Sequence, residues 1–276
     1  MAYIYLMKAK LIESSVSEYI ENLQASGRYY FTLQELVYNF SITKMALQEQ
    51  LKRLIANKKI AILKNGFYVI VTPEYKKIGC PPIYFFINGL MQWLEKPYYI
   101  GLLNAAAWYG ATQQQPQSNV IITPPPNIKH VNKKYLKIFF LSHKNWNDAF
   151  ISNIKTNAGY VKISSIELTC LDLCYYQKQA GGINNIAQVI EELAEKIEVE
   201  KLLQLVNKYT SLMAVQRLGY LLDYNDNKEL ANDLYSWFSK QRSYPALLDV
   251  QETNNKNKVT GNRWKIIINT NIEKDI

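Results

Sequence analysis

The sequence predicts an α+β protein in which a small N-terminal unit of helices, closed by a β-hairpin, precedes a larger mixed α/β, helix-rich domain. Three observations predict it. Apolar residues recur with helical spacing three times in succession between residues 16 and 55. An Asn-Gly pair between two β-rich runs follows at once. Beyond Pro81-Pro82, short β-rich runs interleave with helical stretches and then give way to four amphipathic faces in a row.

The first helix is read from Val16, Tyr19, Ile20 and Leu23, which fit i, i+3, i+4, i+7. Leu33, Leu36, Val37 and Phe40 repeat that spacing and predict a second buried face. Thr32 and Glu35 form a T-x-x-E capping box at its start. Ser41 or Thr43 caps a third helix, whose core side carries Leu47, Leu51, Leu54 and Ile55. Only a tight turn separates Phe40 from that cap. Ile60–Leu63 and Phe67–Val71 are β-rich, and Lys64-Asn65-Gly66 joins them with a strong hairpin signal. Two short helices across a tight turn, followed by a hairpin, read as a winged helix-turn-helix, expected to occupy residues 1–80.

That shape fits a major groove and its flanking phosphates. On the third helix Lys44, Gln48 and Lys52 recur every four residues on one polar face, with Thr43 at its start. Gln reads adenine through two hydrogen bonds, and Lys reaches guanine or phosphate. Glu49 lies beside this face and opposes a phosphate. Lys58 and Lys59 close the helix, and Lys64 and Asn65 sit at the wing tip. The expected DNA contacts are therefore Thr43, Lys44, Gln48, Lys52, Lys59, Lys64 and Asn65. Placement of charge agrees: residues 1–77 hold 11 Lys and Arg against 6 Asp and Glu, a net +5, whereas the whole 276-residue chain carries only +9. Overall basicity says less, because a chain rich in Lys, Asn, Ile and Tyr bears the stamp of an AT-rich genome.

Composition bounds the rest. A 48% apolar fraction is ample for real cores, and the length suits two domains. Three cysteines, Cys80, Cys170 and Cys174, are too few and too odd in number for a disulfide framework, which points to a reduced, cytoplasmic setting. Cys170 and Cys174, four apart with no histidine nearby, read as core thiols rather than metal ligands. No cofactor or metal is expected. Met1–Lys10 lacks the apolar run of a signal peptide, and the longest apolar stretch, around residues 83–93, is too short and interrupted to span a bilayer, so no membrane partner is expected.

The second domain, expected over 81–276, opens with an aromatic-rich helix from Ile83 to Leu94. A small-residue helix spans Gly101–Tyr109 and is stopped by Gly110; Gln113–Gln117 is a polar loop. Val120–Thr123, Leu136–Leu141 and Tyr160–Ile163 read as strands. Ser164 and Glu167 are read as a second capping box, and Gly181-Gly182 ends the helix they open. Four amphipathic faces follow through Phe238, with glutamates at 191, 192, 195, 198 and 200 as a solvated acidic region. Asn254–Asn262 reads as a polar linker, and Trp264–Ile268 as a last strand returning to the sheet.

Two blocks of this domain resemble the AbiEi-type antitoxins of type IV toxin–antitoxin systems. Tyr98-Tyr99-Ile100-Gly101-Leu102-Leu103-Asn104-Ala105-Ala106-Ala107, with Gly110, resembles that family's aromatic–x–Gly–Leu–x–Ala–Ala stretch. Gly159-Tyr160-Val161, Ser164–Thr169 and Leu171-Asp172-Leu173 resemble its Ser–Pro–Glu–Arg–Thr–x–x–Asp segment, with Ile166 in place of Pro and Leu168 in place of the basic residue. Trp108-Tyr109 replaces an apolar–His pair. The resemblance, which covers most of residues 30–240, implies a bifunctional protein. Its winged helix binds double-stranded DNA at inverted repeats of an operator in its own promoter and represses the operon. Its C-terminal domain counteracts a nucleotidyltransferase-like toxin without requiring a stable complex.

The residues also allow other readings. A plain winged-helix transcription factor, whose second domain senses a ligand or oligomerises, finds support in Trp93, Tyr98, Tyr99, Trp108 and Tyr109, which can line a pocket. An enzyme finds little. His130 and His143 are the only histidines, no clustered metal spacing exists, and His143 sits in what reads as a surface loop. Glu167 and Asp172 are five apart on a helix, about 140° around its axis, and do not converge as a nuclease pair. Gly181-Gly182 lacks the Lys-Ser/Thr of a phosphate loop. The expectation is a non-enzymatic protein.

Overall fold

The computed structural model describes residues 15–112, 116–209, 211–252 and 260–273, with the side chain of Lys44 excepted. The chain divides into two compact units. The first comprises Met1–Leu94 with Lys133–Leu136 and Lys155–Gly159; the second comprises Glu95–Asn132, Lys137–Ile154 and Tyr160–Ile276.

In the first unit, helix α1 (Val16–Ala25) starts at Ser15, whose hydroxyl accepts the Glu18 N–H. Strand β1 (Tyr30–Thr32) leads directly into α2 (Leu33–Asn39). The expected capping box forms: Thr32 Oγ1 accepts the Glu35 N–H at 3.2 Å, and Glu35 Oε2 accepts the Thr32 N–H at 2.7 Å. Helix α3 (Lys44–Ala56) is capped by Thr43, not Ser41. Strands β2 (Ile60–Lys64) and β3 (Phe67–Ile70) complete a three-stranded antiparallel sheet of order β1-β3-β2. Lys64 pairs with Phe67, so the turn is the two residues Asn65 and Gly66, and Gly66 takes φ +91, which a side chain rarely tolerates.

Val16, Tyr19 and Ile20 pack with Phe31, Leu36, Leu47, Leu51, Leu54, Ile60, Tyr68 and Ile70 to form this unit's core. Val37 departs from expectation. It shares the spacing of the buried face yet is 58% exposed, because the seven-residue helix turns only Leu36 fully inward. The compact unit also continues beyond residue 80. A 3₁₀ turn at Ile83–Phe85 and helix α4 (Ile87–Trp93) lay aromatic rings on the sheet, Phe85 against Tyr29 and Trp93 against Phe67. Gly89 lies so close to the Tyr30 ring that an added Cβ would stand 2.0 Å from it.

The second unit is built on a six-stranded sheet of β4 (Tyr99–Ile100), β5 (Asn119–Thr123), β6 (Val131–Lys133), β7 (Leu136–Ser142), β8 (Ile151–Thr156) and β9 (Gly159–Ser164), in the order β6-β7-β5-β4-β9-β8. The pairs β5–β7 and β4–β9 are parallel, whereas β4–β5 is antiparallel. Helix α5 (Leu102–Trp108) lies between β4 and β5 in the chain. Helix α6 (Ile166–Tyr175) is buried at every position from Glu167 to Cys174, as befits a helix surrounded by others. Helices α7 (Ile183–Ala194), α8 (Val199–Val206), α9 (Leu212–Tyr224) and α10 (Lys228–Phe238) realise the four amphipathic faces, and α5, α7, α8 and α9 all pack on α6.

Three expectations are corrected in this unit. The cap of α6 is Ser165, whose Oγ accepts the Leu168 N–H; Ser164 is the last residue of β9 and its hydroxyl bonds Thr169 Oγ1 at 2.7 Å. Glu167 instead accepts the N–H of Glu198 at the start of α8. The last strand does not return to the large sheet. Strand β11 (Ile266–Ile267) pairs in parallel with β10 (Ala246–Leu247) as a separate ribbon, held there by buried Trp264, whose Nε1 donates to Asp223 at 2.6 Å. Most of the linker expected at Asn254–Asn262, and Gln113–Gln115 of the polar loop, lie outside the described residues. Among the described residues no helix is long and apolar enough to cross a membrane.

Candidate nucleic-acid interface and buried carboxylate cluster

Helix α3 brings Gln48 and Lys52, four apart, to one exposed side; Thr43 is exposed at its N-cap, and Lys44 opens the helix, although the Lys44 side chain lies outside the described residues. The Thr43 hydroxyl serves as the cap, accepting the Ala46 N–H at 3.3 Å, and its O–H can still donate to another molecule. Lys52 Nζ donates to Glu49 Oε1 at 2.7 Å, with the two side chains 71% and 53% exposed. An ion pair in that setting is weak and yields readily to a phosphate. Its imprint is on Glu49, whose carboxyl sits below its usual range through the hydrogen bond from Lys52 and then its charge.

Asn65 and Lys64 fall at the hairpin turn, Asn65 exposed and Lys64 half-buried. Lys59 stands apart. It directly precedes β2 at the far end of α3, where its carbonyl accepts the Val71 N–H at 2.9 Å, on the order of 20 Å from Thr43 along a 13-residue helix. There it lines a recess with Lys58, Lys76, Ile20, Glu21 and Leu54. The expected contacts are therefore three separate places: a helix stripe, a hairpin tip and a helix end. Reading only the polar side chains missed Met45, which is 76% exposed and lies between Gln48 and Glu49 around the helix.

The second unit holds a cluster that local spacing does not announce. Asp172 on α6 is fully buried, and each carboxylate oxygen accepts a phenol hydroxyl, from Tyr99 on β4 at 2.7 Å and from Tyr209 beyond α8 at 2.8 Å. Burial pushes its pKa up to about 7, against the pull of those two hydrogen bonds. His143 is corrected from a surface loop to a buried position, 7% exposed. Its ring lies 5.1 Å from that of Tyr209, its Nδ1 lies 3.2 Å from the Asn145 carbonyl, and burial lowers its pKa. Tyr99, His143, Trp146 and Tyr209 line a small recess with Lys208 at its side.

With both Asp172 oxygens held by tyrosines, the cluster joins three distant segments rather than presenting a free base. Glu167 serves a different partner, so the two carboxylates do not act together. Cys170 and Cys174 are buried core thiols, as expected, and burial pushes the Cys174 thiol up to about 12. No group of three or more His, Cys, Asp or Glu side chains among the described residues is placed to hold a metal ion. His130 Nδ1 accepts the Phe140 N–H at 3.0 Å, a structural use.

Residues 99–224 match the family model described as the AbiEi antitoxin C-terminal domain. The match begins at Tyr99 and encloses Asp172 and Tyr209, the three residues of the buried cluster. Among solved structures the chain is similar to the RV2827C protein from Mycobacterium tuberculosis, at 15% identity over 91% of this chain and 90% of that one, with a TM-score of 0.66. That likeness is one of fold. No curated protein matches the chain.

Proposed function

We propose that this chain, an AbiEi-type antitoxin through its residues 99–224, is the non-enzymatic, cytoplasmic regulator of its own toxin–antitoxin operon. In this reading residues 1–80 act as a winged helix-turn-helix that binds inverted repeats in the promoter, and residues 81–276 counteract a nucleotidyltransferase-like toxin. The observation that carries the DNA half is the α3 stripe: Gln48 and Lys52 exposed on one side of a helix followed at once by a basic-tipped hairpin. Thr43, Lys44, Lys64 and Asn65 extend that contact, and Lys59 reaches only the flanking phosphates. The antitoxin half rests on the family match.

Two assays test the halves together. A reporter driven by the DNA upstream of the gene should fall on expression of this chain, and cells expressing the neighbouring gene's product should regain growth. A reporter that does not respond contradicts repression; growth that does not recover contradicts the toxin assignment. A second reading, in which the C-terminal domain senses a ligand, is favoured by the recess of Tyr99, His143, Trp146 and Tyr209. A metabolic gene next door, with repression relieved by its substrate, would select that reading instead.

A further inference from the structure

We infer that Met45, with Ile42 beside it, reads thymine methyl groups, so that the DNA this face selects carries thymine at the steps they touch. The inference rests on the reading of α3 as the DNA-facing helix and adds what that helix distinguishes.

Scattered exposed apolar side chains are ordinary, but their grouping is informative. Of the twelve exposed large hydrophobic side chains among the described residues, four fall between residues 37 and 45: Val37 at 58%, Tyr38 at 81%, Ile42 at 40% and Met45 at 76%. Ile42 and Met45 bracket the Thr43 cap. Met45, Gln48, Glu49 and Lys52 stand at i, i+3, i+4 and i+7, which sets an apolar side chain into the same stripe as the amide and the ammonium. A protein partner covering Met45 would also strip water from Gln48 and Lys52. A DNA groove has a place for each: phosphate for the ammonium, a base edge for the amide, and the thymine C5-methyl for the thioether. The first turn of α3 carries no acidic residue, so its partial positive end can approach the phosphate backbone. In helix-turn-helix docking it is the N-terminal residues of this helix that reach base edges. Methionine, unbranched and polarisable, adapts to such a contact.

The test uses the full-length chain and the segment of upstream DNA that it protects from nuclease, made once with thymine and once with uracil, which differ only by that methyl group. Wild type should bind the uracil duplex roughly fourfold more weakly for each methyl contacted. Met45→Ala should bind the thymine duplex more weakly and show a smaller thymine–uracil difference, and the Ile42→Ala/Met45→Ala double variant should show none. The position is exposed and alanine suits a helix, so circular dichroism should confirm an unchanged fold. Equal binding of both duplexes by wild type, or the same thymine–uracil ratio in Met45→Ala, overturns the inference while leaving DNA binding intact. If Met45→Ala instead dissociates an oligomer without altering that ratio, the patch joins two copies and the inference is overturned. If no duplex binds at all, the proposed function fails and takes the inference with it.

Discussion

At the scale of single residues, Asp172 has the clearest consequence. It is fully buried, its pKa stands at about 7 against an ordinary 3.8, and an unfolded chain would return it to the ordinary value. Between those values the folded state binds more protons than the unfolded one, so stability falls as pH rises from about 4 towards 7 and then levels off. Asp172→Asn removes that slope. Melting curves should show the variant gaining on wild type across this window, with the difference constant above it. A difference independent of pH would mean that Asp172 is not protonated in the folded protein. Glu49 gives the second test. Glu49→Gln frees Lys52 from its ion pair and removes a charge that repels phosphate, so DNA affinity should rise, most visibly at low salt. Reduced affinity in that variant would place Glu49 on a base edge, for example accepting a cytosine amino group.

At the scale of elements, caps and close contacts decide. Thr32→Ala removes the capping-box acceptor of α2 and should cost about 1 kcal/mol in chemical denaturation. Gly219→Ala should cost more, because a Cβ there would stand 2.3 Å from the Trp264 ring, which seats the β10–β11 ribbon on α9. An Ala variant as stable as wild type would mean that Trp264 moves aside. The helices were legible because their signal is local: the periodicity of α1, α3 and α7–α10 and the Thr32–Glu35 box are contained in a few turns of chain. Strands β1 and β4 were not, being three and two residues long and defined only by the partners they pair with. The α6 cap slipped by one residue because Ser164 and Ser165 are adjacent and only the end of β9 decides which is free to cap. The Asp172 cluster was illegible for the same reason at longer range, since Tyr99 and Tyr209 lie 73 and 37 residues away along the chain.

At the scale of the whole molecule, two compact units suggest two separable activities. The full chain with Lys44, Gln48 and Lys52 all changed to alanine should lose repression of its own promoter yet still restore growth against the toxin. Loss of both, in a variant that remains folded and expressed, would mean that the toxin is opposed through DNA binding. The charge distribution gives the direction of this expectation: the first 77 residues hold +5 of the chain's +9, and the segment that matches the antitoxin family model, residues 99–224, lies wholly beyond them. DNA binding by the α3 face is therefore the claim on which the regulatory half depends. It is tested most directly by titrating wild type and the Lys44/Gln48/Lys52 triple alanine variant against the upstream duplex at several salt concentrations. The triple variant should bind more weakly, and the slope of log K against log salt should shrink by roughly two units for the two lysines lost. The same affinity and the same slope in both proteins would contradict it.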